Sequence, residues 1–340
     1  MRLAVILVHY HTPRLAVEAV AALQADLTGL EAEWILVDNG SDADGRVLLE
    51  SLPVRLIDPG ANLGYAGGVN LGVASSTAEA LIVMNPDVLV FPGCVPALLE
   101  RLRAGAAVAG PEFWWDRGRR LLLPPAEERS RSAELLAVLS ETLARRRWRR
   151  HARKHWEARG ALTSWSLSGS LLAIRRDAWD QVGPFDEGYR LFFEETDWLL
   201  RARRLGLRSE YVPAAEAVHL YNQSAAQEPR SQGWFEESAR RFRRLQYGAP
   251  FAAVLETLSR PRRALDLPRA SALDLPPNAA WVEVSPNSSG FPAAAERLVP
   301  GTRAWRLPEE IAARMPGGRW IVQVTDRAGR ELLRSELEAA

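Results

Sequence analysis

The sequence predicts an α/β fold, a mostly parallel sheet flanked by helices, with a small β-rich appendage at its C-terminal end. Three observations carry this. Apolar runs at residues 3–8, 34–37 and 80–84, with a further segment at 54–57, read as strands of a buried parallel sheet. Helical spacing separates them, as at residues 14–24 and 93–103. Near the other end, residues 281–284 and 320–324 alternate like strands with one buried face.

Each element follows from local chemistry. Thr12 and Pro13 turn the first strand, 3–8, into the helix at 14–24. The second strand, 34–37, ends at Asp38-Asn39-Gly40-Ser41, and the fourth, 80–84, at Asn85-Pro86-Asp87. The helix at 93–103 and a strand at 106–109 complete the first half. Residues 132–140 have amphipathic helical spacing, and 164–174 read as a strand. A helical turn at 177–182 precedes a helix at 194–205, with Gly206 as its stop signal. Two short extended segments follow, at 209–212 and 216–220. Pro250, Pro261, Pro268, Pro276 and Pro277 then punctuate a linker. The expected division is a domain at 1–248, with halves of about 1–110 and 111–248, a linker at 249–274, and a β-rich part at 275–340 whose role the sequence leaves open.

Composition narrows the function. The chain has 340 residues, 47% of them apolar, enough for a sizeable core. Its net charge of +1 argues against a nucleic-acid partner. One cysteine, Cys94, excludes an intramolecular disulfide and an all-cysteine metal site. Lys154 is the only lysine, which removes the P-loop lysine and disfavours Schiff-base chemistry. No apolar run is long enough for a membrane span, and residues 3–8 are too short for a signal peptide, so a cytoplasmic protein is expected.

Polar clusters sit where ligands bind open α/β sheets, at the carboxyl ends of strands. His9-Tyr10-His11-Thr12 offers an aromatic face for a base, and Asp38 a carboxylate acceptor; both are also ordinary turn chemistry. Residues 62–72, Asn-Leu-Gly-Tyr-Ala-Gly-Gly-Val-Asn-Leu-Gly, let backbone approach a phosphate or let a helix approach a sheet. They lack the dinucleotide-binding glycine spacing. Asp87 suits a divalent cation whose other ligands come from a diphosphate, or a plain turn. Glu194, Glu195 and Asp197 open a helix beside Phe192, Phe193 and Trp198. They complement the helix dipole, or supply a general base tuned by apolar surroundings. His219 stands in an apolar stretch and reads equally as a structural histidine.

In order along the chain, VHYHTP, VDNGS, NLGYAGGVNLG, MNPDV, SGSLLAIRR, FDEGYRLFFEETDWLLRARRLG and VHL resemble inverting family 2 glycosyltransferases, above all the rhamnosyltransferase-like branch. The likeness covers about residues 1–225 and implies a GT-A fold. It implies that Tyr10, Asp38, Asn62, Gly64, Gly68, Asn70 and Asn85 line the nucleotide-sugar site. Asp87 and His219 would hold Mg²⁺ or Mn²⁺. Ser168, Gly169 and Glu194 would face the acceptor, and Glu195 would be the base, with Glu194 as the alternative. The implied reaction moves a sugar from a dTDP-rhamnose-like or UDP-sugar donor to a hydroxyl of a glycan or lipid-linked saccharide, in cell-surface polysaccharide synthesis. A catalytically degenerate glycan- or sugar-nucleotide-binding subunit is the alternative.

One segment stands outside this pattern. From Arg145 to Trp156 the chain carries seven basic residues and no acid, with Trp148 and Trp156 eight apart on nearly one helix face. That suits peripheral contact with an anionic membrane. A solvated helix, or a basic loop clamping a soluble anion, are its alternatives.

Overall fold

The computed structural model describes residues 1–220, 230–258, 267–315 and 319–337. Its two compact units are Met1–Glu112 with Ala158–Val254, and Phe113–Glu157 with Leu255–Ala340.

The strands of the first sheet are β1 (Leu3–His9), β2 (Ala32–Asp38), β3 (Arg55–Ile57), β4 (Ala80–Met84), β5 (Val88–Val90), β6 (Val108–Trp114, whose last two residues fall in the second unit), β7 (Leu162–Thr163), β8 (Leu171–Arg175) and β9 (Ser209–His219). They form one sheet in the order β3-β2-β1-β4-β8-β6-β9-β5, with β7 also on β9. The β3-β2-β1-β4 half is parallel. Beyond β4 the ladders β4–β8, β6–β8 and β5–β9 are antiparallel. Every residue of β1 and β4 is buried, as their unbroken apolar runs require. Helix Gly64–Ala74 lies close on β1, because a Cβ at Gly68 would stand 2.6 Å from Val8 Cγ1 and one at Gly72 would overlap Ile6.

Three readings of the first unit change. Only Leu171–Arg175 of the 164–174 segment is strand. Ser164 and Ser168 accept hydrogen bonds from backbone two residues on, at 3.2 and 3.3 Å, and so favour turns over a ladder. The extended segments at 209–212 and 216–220 are one strand through Pro213. Its ladders lie on either side of the proline, Glu210 and Tyr211 on β7 and Ala217 to His219 on β5. Helix Ser231–Tyr247 was not anticipated, and residues 249–258 are helix rather than linker, since Pro250 falls in the first turn, where a missing N–H is tolerated. The part of the expected linker at 259–266, with Pro261, lies outside the described residues.

The second unit contains β10 (Arg269–Ala270), β11 (Leu273–Asp274), β12 (Trp281–Ser285), β13 (Ala294–Arg297), β14 (Ala304–Trp305), β15 (Trp320–Thr325) and β16 (Glu331–Leu337). Five of them form a sheet in the order β10-β16-β15-β12-β13, and β11 pairs with β14. Residues 113–157, assigned from sequence to the acceptor half, belong to this unit instead. The cause is helix Glu141–Trp156, which covers the sheet. β12 and β15 are therefore buried on both faces, not one. One face packs Val282, Val284, Val322 and Val324 with Trp115 and Trp305. Against the other lie Trp148, Ala152 and Trp156, with the Trp156 ring stacked 5.6 Å from Trp281.

This overturns the aromatic half of the membrane-interface reading. Trp148 and Trp156 do share a helix face, but it faces the sheet and both are buried. Among the described residues no helix is long and apolar enough to cross a membrane. The same face carries Arg149, whose Nη2 lies 2.8 Å from the fully buried Glu283 Oε2, with Gln323 Oε1 at 3.0 Å and Arg153 Nη2 3.4 Å from Glu283 Oε1.

Removing one partner of a buried pair strands the other charge. Arg149→Met is expected to cost about 3 kcal/mol, while Arg149→Met with Glu283→Gln, which removes the stranded carboxylate and leaves Arg153 an amide oxygen, recovers part of the loss. Denaturant unfolding followed by tryptophan fluorescence checks this. An Arg149→Met protein as stable as the native one would show that the pair does not hold the helix.

Candidate active site

The loops after β1 and β2 are laced together: Asn39 N donates to His9 O at 2.9 Å and His11 N to Gly40 O at 3.1 Å. Gly40 leaves room for the Tyr10 ring, since a Cβ there would stand 3.3 Å from Tyr10 Cε2. Asp38 is buried, and its Oδ1 accepts from Gly40 N at 3.1 Å and Ser41 Oγ at 2.9 Å. His9 lies beneath, its Nε2 3.1 Å from Ser41 Oγ and 4.0 Å from Asp38 Oδ1. Burial pushes its pKa down to about 4 against the pull of Asp38, so the ring is neutral at pH 7. Tyr10 and Asp38 thus sit at adjacent strand ends, where the resemblance places the nucleotide base.

The glycine-rich segment divides between two roles. Asn62 Oδ1 accepts from Gly64 N at 2.8 Å, a local turn, and Asn39 Nδ2 donates to Gly64 O at 2.8 Å. Gly64 has φ +73°, and a Cβ there would meet Arg190 O at 2.9 Å. Gly68 faces Val8 and serves helix–sheet packing. The Asn70 amide is engaged on both sides: Nδ2 donates to Phe185 O at 3.0 Å and Glu187 Oε1 at 2.8 Å, while Oδ1 accepts from Phe185 N at 3.0 Å. Gly68 and Asn70 thus fix the helix against β1 and tie it to the loop leading to the acidic segment.

Asp87 and His219, the two residues expected to hold a metal, lie side by side. His219 Nε2 is 3.4 Å from Asp87 Oδ1, Val88 is in register with His219, and Leu220 N donates to Asp87 O at 2.9 Å. Asn85 Oδ1, two residues earlier, is buried without a hydrogen-bond partner. A carboxylate, an imidazole and an orphaned amide oxygen fit a divalent cation. Among the described residues no three His, Cys, Asp or Glu side chains gather, so protein groups of this kind complete only part of a coordination sphere.

The acidic segment is held under strain. Phe192 and Phe193, just before helix Glu194–Arg204, have φ of +68° and +73°, a region non-glycine residues enter at a cost of about 1–3 kcal/mol. Helix Ser231–Tyr247 holds them there, with Phe235 5.5 and 5.4 Å from the two rings and Ser238 Oγ donating to Leu191 O at 2.8 Å. Asp197 is structural: Arg201 Nε lies 2.8 Å from its Oδ2, and Gln246 also donates to it. Glu194 is buried with its Oε2 lacking a partner. Burial first, then the charge of Glu195, holds the Glu194 carboxyl well above the usual carboxylate range. Glu195 is only half-buried, accepts from Thr196 Oγ1 at 2.9 Å, and packs on Gly169, where a Cβ would stand 3.0 Å from Glu195 Cβ.

A residue without an expected role joins these parts. Tyr65 Oη donates to Gly169 O at 2.7 Å, and Ser170 O accepts from Asn85 N at 2.9 Å. Ser168, expected on the acceptor side, bonds Ser170 Oγ at 3.0 Å within the same turn. The Tyr65 hydroxyl is held well above its usual pKa by burial and then by the charges of Glu194, Glu195 and Asp87. The only sequence signal for Tyr65 is a bulky ring in a segment otherwise small enough to pack.

A family model for Glycosyl transferase family 2 matches residues 4–182. The chain is 35% identical over 217 residues to an N-acetylglucosaminyl-diphospho-decaprenol L-rhamnosyltransferase of Mycobacterium tuberculosis, covering 58% of this chain and 69% of that one. It is 25% identical over 224 residues to the low-salt glycan biosynthesis hexosyltransferase Agl10 of Haloferax volcanii, covering 64% of this chain and 66% of that one. A crystal structure of S. aureus TarS superposes with a TM-score of 0.46 and 14% identity over 74% of each chain.

Glu194 generates a pH prediction. Its folded-state pKa lies above the ordinary value of 4.5, so above that pH the folded protein binds more protons than the unfolded one. The stability from the neutral carboxyl is full at low pH and is lost as pH rises through the raised value. Glu194→Gln, neutral throughout, is expected to lose less stability than the native protein between about pH 5 and pH 8. Thermal melts across that range check it, and parallel curves would mean that Glu194 is ionised in the folded state.

Proposed function

The chain belongs to glycosyl transferase family 2, and from that membership we propose that it is an inverting, metal-assisted enzyme moving a sugar from a nucleoside-diphosphate sugar to a hydroxyl of a glycan or lipid-linked saccharide. The relatives support a hexosyl donor of the dTDP-rhamnose kind, or a UDP-sugar, and a place in cell-surface polysaccharide assembly. One is named for L-rhamnosyl transfer to N-acetylglucosaminyl-diphospho-decaprenol and the other for hexosyl transfer in glycan biosynthesis.

The observation that carries the reading is Tyr65. Its hydroxyl donates to Gly169 O, Glu195 packs on Gly169, and Asn85 N donates to the next carbonyl, Ser170 O, so the acidic segment and the strand end that carries Asp87 meet at one turn. Tyr10 and Asp38 supply the base-binding end. Of the two glutamates, burial and then the charge of Glu195 favour the protonated form of Glu194, which makes it the poorer proton acceptor. Glu195, half-buried, is the base. The acceptor hydroxyl gives its proton to Glu195 while its oxygen bonds to the anomeric carbon. The bond from that carbon to the diphosphate breaks on the opposite face, so configuration inverts. Mg²⁺ or Mn²⁺ held by Asp87 and His219 would offset the negative charge of the leaving diphosphate.

Glu195→Gln is expected to lower turnover about 100-fold or more while donor binding survives, with a smaller effect from Glu194→Gln. The opposite ranking would exchange the two roles. Asp87→Ala should weaken nucleotide binding in Mg²⁺ and leave the metal-free binding nearly unchanged; calorimetry with a nucleoside diphosphate measures both. A native protein that binds sugar nucleotides but neither transfers nor hydrolyses them would be the degenerate binding subunit.

A further inference from the structure

The second unit holds a cleft of about 820 Å³, lined by helix Glu141–Trp156 and the turn between β15 and β16. Eight basic side chains and two acids line it. Half of those cations are neutralised locally. Arg145 pairs with Glu141 and Glu331, Arg149 and Arg153 with Glu283, and Arg330 with Asp326.

The other four have no ion pair among the described residues: Arg146, Arg150, Lys154 and Arg327. The first three follow at i, i+4 and i+8 and form one exposed stripe along the helix. Arg327 is exposed on the facing turn. That turn is held to the helix by Arg149 Nη1 donating to Gly329 O at 2.9 Å, and Gly329 has φ +79°. Deeper in the cleft, Arg145 Nε and Arg153 Nε are buried with no hydrogen-bond partner. Like charges in a concave site repel one another and raise a positive potential, which an anion relieves. Guanidinium groups in particular match phosphate oxygens by paired donors.

We propose that this cleft binds a phosphate-bearing group, a diphosphate or a phosphodiester, through Arg146, Arg150, Lys154 and Arg327. The volume lies in the range of small-ligand sites. Two sources share this chemistry, a soluble phosphate ligand and a lipid headgroup. Leu143, on the helix face of Arg150 and about half exposed at 48%, makes the second worth its own arm.

The experiment compares the native chain with the Arg146→Gln, Arg150→Gln, Lys154→Gln triple variant, whose changes fall on exposed side chains. Calorimetry with inorganic pyrophosphate in chelator, without divalent metal, reads the soluble arm. Co-sedimentation with phosphatidylglycerol and with phosphatidylcholine vesicles reads the lipid arm. The expected result is binding in at least one arm, weakened about tenfold or more in the variant and by high salt. Pyrophosphate binding marks a soluble ligand, and binding to phosphatidylglycerol vesicles alone marks a headgroup. The proposal is overturned if the native chain binds neither probe, if the variant binds as the native chain does, or if both vesicle types bind equally. Unchanged thermal melting of the variant confirms that any loss is not unfolding.

Discussion

Helix Gly64–Ala74 can lie against β1 only because Gly68 and Gly72 present no side chain to Val8 and Ile6. Much of the first unit's site depends on that close approach. The helix brings Tyr65 to Gly169 and Asn70 to Phe185 and Glu187, over chain separations of 104 to 117 residues. Those two side chains join the parallel half of the sheet to the loop that delivers Glu194 and Glu195. Extra volume at such an interface costs about 1–3 kcal/mol. It would also displace two tethers at once, so packing and catalytic geometry are coupled here.

The acidic helix start shows how position decides chemistry when residue type does not. Glu194 and Glu195 share the first turn of a helix, whose dipole favours a negative charge. Burial opposes that for Glu194, which has an oxygen with no partner, whereas Glu195 is half-open and hydrogen-bonded by Thr196. Neighbouring carboxylates relieve their repulsion when one keeps a proton. The left-handed Phe192 and Phe193 make this placement possible by turning the chain immediately before the helix, and aromatic contacts with Phe235 and Phe242 hold the turn.

Much of this was legible in the sequence, and for identifiable reasons. Residues 3–8 and 80–84 are apolar without interruption, and only strands buried on both faces need that. The strand ends at Asp38 and Asp87 marked the site because open sheets gather ligands there. Pro250 misled, since it opens a helix, and the segments at 209–212 and 216–220 are one strand that passes through Pro213 and pairs on either side of it. The partners of Gly68 and Asn70, Val8 and Phe185, are visible only in three dimensions. Trp148 and Trp156 taught the same lesson. Their shared face was readable from an eight-residue spacing, but what covers it, Trp281, is more than a hundred residues further along the chain.

That distance has a consequence for synthesis. The second unit is assembled from two segments with Ala158–Val254 of the first unit between them, and Arg149 waits 134 residues for Glu283. At ordinary elongation rates the interval is on the order of ten seconds. Throughout it, the ribosome-bound chain carries Trp148 and Trp156 with no sheet to cover them, and Arg149 and Arg153 with no Glu283. A helix in that condition invites a holdase or premature self-association, and the hazard ends only when β12 emerges. Crosslinking of chains stalled before and after residue 285 would register the change, and equal capture at both lengths would deny it.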